Sequence, residues 1–205
     1  MIQYTATSAK EAGLINDIII STDSVEIANV SEKFGIEVPF IRPAELATDT
    51  ASSVDVVVHA VKVLASLGRS YDAVCLLQPT NPFRQNGFID KAIQKFIEAG
   101  TDSLVSVLPV PDEFNPHWVF EVNKEGTLSI VTGEKEIIRR RQDLPESFYR
   151  DGSIYLTKTA TLLKDHSLYG NSISYIINNL DLHVNIDTEA DWKTATELHQ
   201  KIISK

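Results

Sequence analysis

Gln78, Thr80, Asn81 and Arg84 fall in one short polar stretch, with Pro79, Pro82 and Phe83 between them. The two prolines fix φ at two points, so an amide and a guanidinium are held in place, as gripping a polar ligand requires. A plain proline turn after a strand has the same pattern. Arg42-Pro43 precedes Thr48, Asp49, Thr50, Ser52 and Ser53 at the start of a helix. An arginine beside hydroxyls and free backbone donors suits a nucleotide base or a phosphate, and suits ordinary capping equally. The segment from Arg139 to Tyr155 contains Arg140, Arg141, Tyr149, Arg150, Asp151, Gly152 and Tyr155; the fork of an arginine suits a carboxylate, and Tyr155 is fit to stack on a sugar or simply to fill a core. Asn185 and Asp187 share one strand face by the two-residue period, so their oxygens can meet one Mg²⁺. Read locally, Asp187 is first of all a helix N-cap.

Other chemistries find no support. The five histidines (His59, His117, His166, His183 and His199) have no metal-ligand spacing, and there is no G-x-S-x-G elbow or H-E-x-x-H helix. The one cysteine, Cys75, lies in an apolar run, which excludes a disulfide framework and fits a reducing cytoplasm. A formal charge of -9, with no basic cluster beyond Arg139 to Arg141, argues against a nucleic-acid partner and for small substrates. No apolar run approaches the roughly 18 residues of a membrane span, and Met1 to Ile15 lacks a signal-peptide block, so no membrane association is expected.

The elements that must position these groups follow from periodicity. Asp72 to Leu77 has the continuous apolar character of a strand covered on both faces, and in open parallel sheets ligands bind beyond the carboxyl ends of such strands. Ile18 to Ile20 reads as another strand, followed by a helix from Asp23 or Ser24 through Phe34. Helices over Thr50 to Leu67 and Asn86 to Ala99 carry apolar residues at helical spacing and are closed by Gly68 and Gly100. Ser103 to Val110 is a further strand. The alternation predicts one α/β domain over residues 1–205 with a doubly wound, mostly parallel sheet. From 109 to 150 the rhythm breaks, with Pro109, Pro111, Pro116 and Pro145, short strands over Trp118 to Val122 and Leu128 to Val131, and a charged run. An excursion of this kind is an arm toward a second subunit or a surface insertion. Ser153 to Lys158 and His183 to Ile186 read as strands, and Thr188 with Asp191 has capping-box spacing ahead of a last helix. The chain opens on a helix, Gln3 to Gly13, where a doubly wound sheet opens on a strand and a phosphate-binding loop. No GxGxxG or GxxxxGK[ST] is found, which reads as a chain cut or restarted at an internal Met.

Five motifs in order carry a resemblance. They are Ile19 to Asp23, Arg42 to Asp49, Leu76 to Arg84, Arg141 to Tyr155 (Arg-Gln-Asp-Leu-Pro … Asp-Gly-Ser-Ile-Tyr) and Asn185 to Asp191. Together they resemble the acylneuraminate cytidylyltransferases, the CMP-sialic acid synthetases, over nearly the whole chain. The resemblance implies a Rossmann-like sheet of the nucleotide-diphospho-sugar transferase type, with 109–150 as a dimerisation arm and a homodimer as the assembly. It also implies attack of the anomeric hydroxyl of a nonulosonic acid on the α-phosphorus of CTP, with Mg²⁺ as cofactor and pyrophosphate leaving. By position, Arg42 and Ser53 would face the cytidine, Gln78 the acid sugar, Arg141 its carboxylate, Tyr155 and Tyr169 the sugar pocket. Asp187, with Asn185, would hold the metal, and Gln78 and Asp187 would carry catalysis. The sequence departs from the family pattern in the absent phosphate loop, in Asn81 where Ser is usual, in Asp151 where Asn is usual, and in Asn185 where Asp is usual. A member that binds a sugar acid without catalysing transfer is the competing expectation, and an eight-carbon sugar acid is the competing substrate.

Overall fold

The computed structural model describes residues 1–204. Helix α1 (Ile2–Lys10) turns Ala6 and Ala9 inward. Helices α2 (Val25–Lys33) and α3 (Ser53–Ser66) start at the serines their sequences supply. Ser24 Oγ accepts from Ile27 N and Ser52 Oγ from Asp55 N, each satisfying an otherwise orphan donor of a first turn. Strand β1 (Ala73–Leu76) runs into the proline loop and then α4 (Phe88–Ala99), which ends where Gly100 takes φ 64°. Strand β2 (Ser103–Pro109) leads into the excursion, which contains the hairpin β3 (Phe120–Val122) and β4 (Leu128–Ile130). Strand β5 (Phe148–Lys158), helix α5 (Thr159–Asp165), strand β6 (Ile173–Ile177) and helix α6 (Glu189–Ile203) complete the chain.

The main sheet has the order β1-β5-β2-β6. Strands β1, β2 and β6 share one direction, with β2 and β6 paired in parallel, and β5 is set antiparallel between β1 and β2. The α/β architecture is thus the one the alternation of elements predicts. On one face Phe88, Ile89, Ala92 and Phe96 of α4 pack on Leu104, Ile154 and Leu156; on the other, Val57, Val58 and Val61 of α3 and Leu162 of α5 pack on Val74 and Leu76. Each large apolar side chain so buried contributes roughly 1.5–3 kcal/mol, which is what holds the carboxyl end of β1 in place beneath the loop it feeds.

Three local expectations are revised. Ile18 to Ile20 does not form a strand; only two isolated parallel bridges, Ile19 to Glu37 and Thr22 to Ile41, join this segment to its neighbour, because a ladder on one side alone leaves too few bonds. His183 to Ile186 is irregular and is tied to the proline loop through Ile186 N, which donates to Thr80 O at 2.9 Å. Strand β6, not anticipated, forms an edge of the sheet. The excursion is closed at its base by Val110 N donating to Ser147 O at 2.9 Å, and braced inside by Trp118 Nε1 donating to Ile138 O at 2.7 Å. No helix among the described residues is long and apolar enough to cross a membrane.

Candidate functional site

The site is built around a bulge in β5. Tyr155 stands opposite Val105 and Arg150 opposite Val107, so β5 spends five residues where β2 spends two. Such insertions bend a strand and re-aim its side chains. Gly152, at φ +82°, allows the backbone to turn there. The bulge brings that backbone against the proline loop: a Cβ at position 152 would stand 3.1 Å from Gln78 Oε1 and 4.0 Å from Asn185 Oδ1. Two of the residues singled out in the sequence therefore converge on a position that has no side chain.

A buried polar frame fixes this convergence. Asp151, 4% exposed, accepts from Ser106 Oγ, from Ser153 N at 3.0 Å and from Asn178 Nδ2 at 2.5 Å. Ser106 Oγ in turn accepts from Ile154 N at 2.7 Å, filling the gap the bulge opens in the ladder. Asn81, fully buried, donates from Nδ2 to Asp151 O at 2.8 Å and to His183 Nδ1 at 3.2 Å. Burial of the ring, ahead of the opposing pull of Asp151, holds the His183 pKa below its ordinary value. Arg84 donates to Ser153 O through Nε (3.1 Å) and Nη2 (2.9 Å), to Gln78 O at 3.0 Å and to Thr5 Oγ1 at 3.2 Å. Burial lowers its pKa to about 10, which leaves it charged at neutral pH. Of the four polar residues of the loop, Asn81 and Arg84 are thus spent on holding the loop to β5. The sequence places them with the ligand; the structure turns them inward, because their partners lie some seventy positions away in the chain.

Asn185 and Asp187 are neighbours here, Asn185 Nδ2 donating to the Asp187 carboxylate. Asp187 is not the cap of α6. That role falls to Thr188, whose hydroxyl accepts from Asp191 N at 3.3 Å while Asp191 Oδ2 accepts from Thr188 N at 2.8 Å and Asp187 N at 3.1 Å. The Thr188 hydroxyl also donates to Asp191 Oδ2 at 2.8 Å, and this bond, ahead of those from Asp187 N and Thr188 N, holds Asp191 below the usual carboxylate range. The Asp187 carboxylate is left without a structural duty beyond Asn185. With Gln78 Oε1 beside Gly152, the donor set is one carboxylate and two amide oxygens, and no group of three or more His, Cys, Asp or Glu gathers among the described residues. Mg²⁺ keeps several waters and is commonly held by one or two carboxylates plus substrate phosphates, so this set fits a metal whose shell the substrate completes.

Tyr155 and Tyr169 form an aromatic lobe beside the end of β1, their centroids 6.3 Å apart at 72°, against Leu76, Val105, Val107 and Phe148. Burial raises the pKa of Tyr155. Leu76 pairs with Tyr155 in the sheet, which sets this lobe next to the Gln78 loop. The remaining candidates stand elsewhere. Arg42 pairs with Asp23 at 3.3 Å, and Ser53 is an exposed first-turn residue of α3 behind the cap Ser52. Arg141, its side chain 77% exposed, pairs with Asp112 within the excursion. No hydrogen bond or ion pair joins Arg42, Ser53 or Arg141 to the Gln78 group among the described residues. In the sequence Arg150 and Asp151 are members of the Arg139 to Tyr155 group without a role of their own; in the structure Arg150 Nη1 donates to Tyr169 Oη at 3.3 Å and Asp151 anchors the buried frame. A glycine flanked by a carboxylate inside a strand was the available signal, since such glycines mark bulges.

Known proteins resemble this chain over nearly its whole length. A family model described as cytidylyltransferase matches residues 1–202. The CMP-N,N'-diacetyllegionaminic acid synthase of Legionella pneumophila is 29% identical over 201 residues, covering 97% of this chain and 84% of the relative. The pseudaminic acid cytidylyltransferase of Campylobacter jejuni is 28% identical over 200 residues, covering 98% and 85%. Among solved structures, CMP:2-keto-3-deoxy-manno-octonic acid synthetase complexed with CTP superposes with a TM-score of 0.69 at 14% identity, covering 98% of this chain and 87% of that one, a likeness of fold.

Proposed function

Because the chain belongs to the cytidylyltransferase family, we propose that it activates a nonulosonic, sialic-type acid with CTP. The bond formed joins the anomeric oxygen to the α-phosphorus, the bond broken releases pyrophosphate, and the hydroxyl proton passes to solvent. The observation that carries this reading is the meeting of Gln78 and Asn185 at Gly152, beside the lobe of Tyr155 and Tyr169. In this assignment Gln78 orients the acid sugar, and the two tyrosines form its pocket and exclude water. Asn185 and Asp187 would hold Mg²⁺, which when bound neutralises charge on the reacting phosphates. Arg42 and Ser53 are assigned to the cytidine, and Arg141 is the candidate that position alone suggests for the carboxylate. The test is pyrophosphate release with CTP, Mg²⁺ and a panel of nonulosonic acids. Release is expected, and Gln78→Ala should lower kcat/KM for the acid about tenfold or more. No release with any acid of the panel would overturn the reading, and an unaltered Gln78→Ala variant would remove that residue from the site.

The assembly assigned to this enzyme is a homodimer joined through the 109–150 arm and the β6 edge. Ile173, Tyr175 and Ile177 alternate along β6 with their side chains exposed, and Phe114, Phe120, Val122 and Leu128 are exposed on the arm. Apolar surface of this extent on a sheet edge calls for a partner. Sedimentation equilibrium should return twice the chain mass; a monomer at micromolar concentration would refute it.

A further inference from the structure

Arg150 and Tyr155 are five positions apart, an odd spacing that puts two side chains on opposite faces of a regular strand. In β5 they share a face. Arg150 lies opposite Val107 and Tyr155 opposite Val105, two positions on one side of β2, and the bulge between them absorbs the difference. Arg150 is thereby carried over the aromatic lobe, where Nη1 donates to Tyr169 Oη at 3.3 Å. Phe148, two positions earlier on the same face, packs into that lobe.

No carboxylate answers this guanidinium. Arg42, Arg69, Arg140 and Arg141 each pair with an aspartate or glutamate; Arg150, like Arg139 and the buried Arg84, forms no such pair among the described residues, and of these three Arg150 is the one held against the aromatic lobe. The adjacent Asp151 does not serve, since its oxygens are committed to Ser106, Ser153 and Asn178 in the buried frame. In a chain of net charge -9, an exposed arginine fixed to a phenol and lacking an acidic partner is a planar fork with free donors. It stands on the strand whose bulge meets Gln78. We infer that Arg150 binds the carboxylate of the acid substrate, with Tyr169 orienting the guanidinium and Tyr155 forming the floor beneath it. This deepens the proposed function and rests on it, and it assigns to Arg150 the contact that position in the sequence suggests for Arg141.

Steady-state kinetics of the wild type, Arg150→Gln, Arg150→Lys and Arg141→Gln at saturating CTP separate the two assignments. Arg150→Gln is expected to raise the KM for the acid sugar about tenfold or more, as loss of a charged hydrogen bond does, while the KM for CTP moves less than about twofold. Arg150→Lys, which keeps the charge without the fork, should fall between. The carboxamide of the same acid, used as a competitive inhibitor, should bind the wild type and Arg150→Gln alike. Arg150→Gln and Arg150→Lys with the wild-type KM for the acid, and the loss appearing in Arg141→Gln instead, would overturn the assignment. Absence of turnover in the wild type would bring down the proposed function itself, and this inference with it.

Discussion

Asp151→Ala is expected to destabilise the protein by about 3–5 kcal/mol, as breaking one side of a buried charge arrangement does. Asp151 is 4% exposed and is the acceptor for three donors, Ser106 Oγ, Ser153 N and Asn178 Nδ2. Alanine offers none of them a partner, and each buried donor left unsatisfied costs about 1–3 kcal/mol. The buried Arg84 guanidinium would also lose a nearby negative charge. Asp151→Asn should be far milder, about 1 kcal/mol, because its oxygen still serves Ser106 and Ser153. Asn178 can turn its own oxygen to the new amide only by giving up the bond it accepts from Asn179 N at 2.8 Å. Urea denaturation gives both values directly. An alanine variant within about 1 kcal/mol of the wild type would mean that water replaces Asp151 in the frame, and that the bulge does not depend on it.

The contrast between what the sequence announces and what it hides follows from the range of the forces involved. The apolar run of β1, the serine cap of α2 and the box of Thr188 and Asp191 are set within a few positions, and they appear where the spacing puts them, whereas α3 is capped by Ser52, two positions after the Thr50 start expected for it. Strand β6 was not anticipated although its signal is as local, an apolar run bounded by Gly170-Asn171 and Asn178-Asn179. The bulge was not, since it has no period, and a regular strand from Ser153 assigns the face of Arg150 the wrong way. Asn81 and Arg84 show the same limit. A proline loop full of polar groups looks ready for a ligand, but two of its four side chains are claimed by β5 carbonyls that only the folded chain brings near. What remains for chemistry is the hydroxyl of Thr80 and the amide of Gln78, and the amide faces the one residue of β5 without a side chain to obstruct it.

Asp187→Asn is expected to cut cytidylyl transfer about a hundredfold or more, with the thermal midpoint moved by less than about 2 °C. The two halves of this expectation have different grounds. Stability should be spared because Thr188 and Asp191 cap α6 without the Asp187 side chain, whose only hydrogen bond among the described residues comes from Asn185 Nδ2. Turnover should not be spared, because Asn185 is already neutral, and a second asparagine would leave neither of the paired positions with a carboxylate. A divalent ion held by neutral oxygens alone is held weakly, since charge on the ligands sets much of the affinity. The reverse change, Asn185→Asp, adds a carboxylate beside the existing one and should lower the Mg²⁺ concentration needed for half-maximal turnover. Thr188→Ala supplies the control with the opposite signature, a loss of about 1 kcal/mol in stability with the Mg²⁺ requirement unchanged. If Asp187→Asn keeps wild-type turnover across a Mg²⁺ titration, the Asn185 and Asp187 pair is no metal site, and the charge compensation for the leaving pyrophosphate must come from elsewhere in the protein.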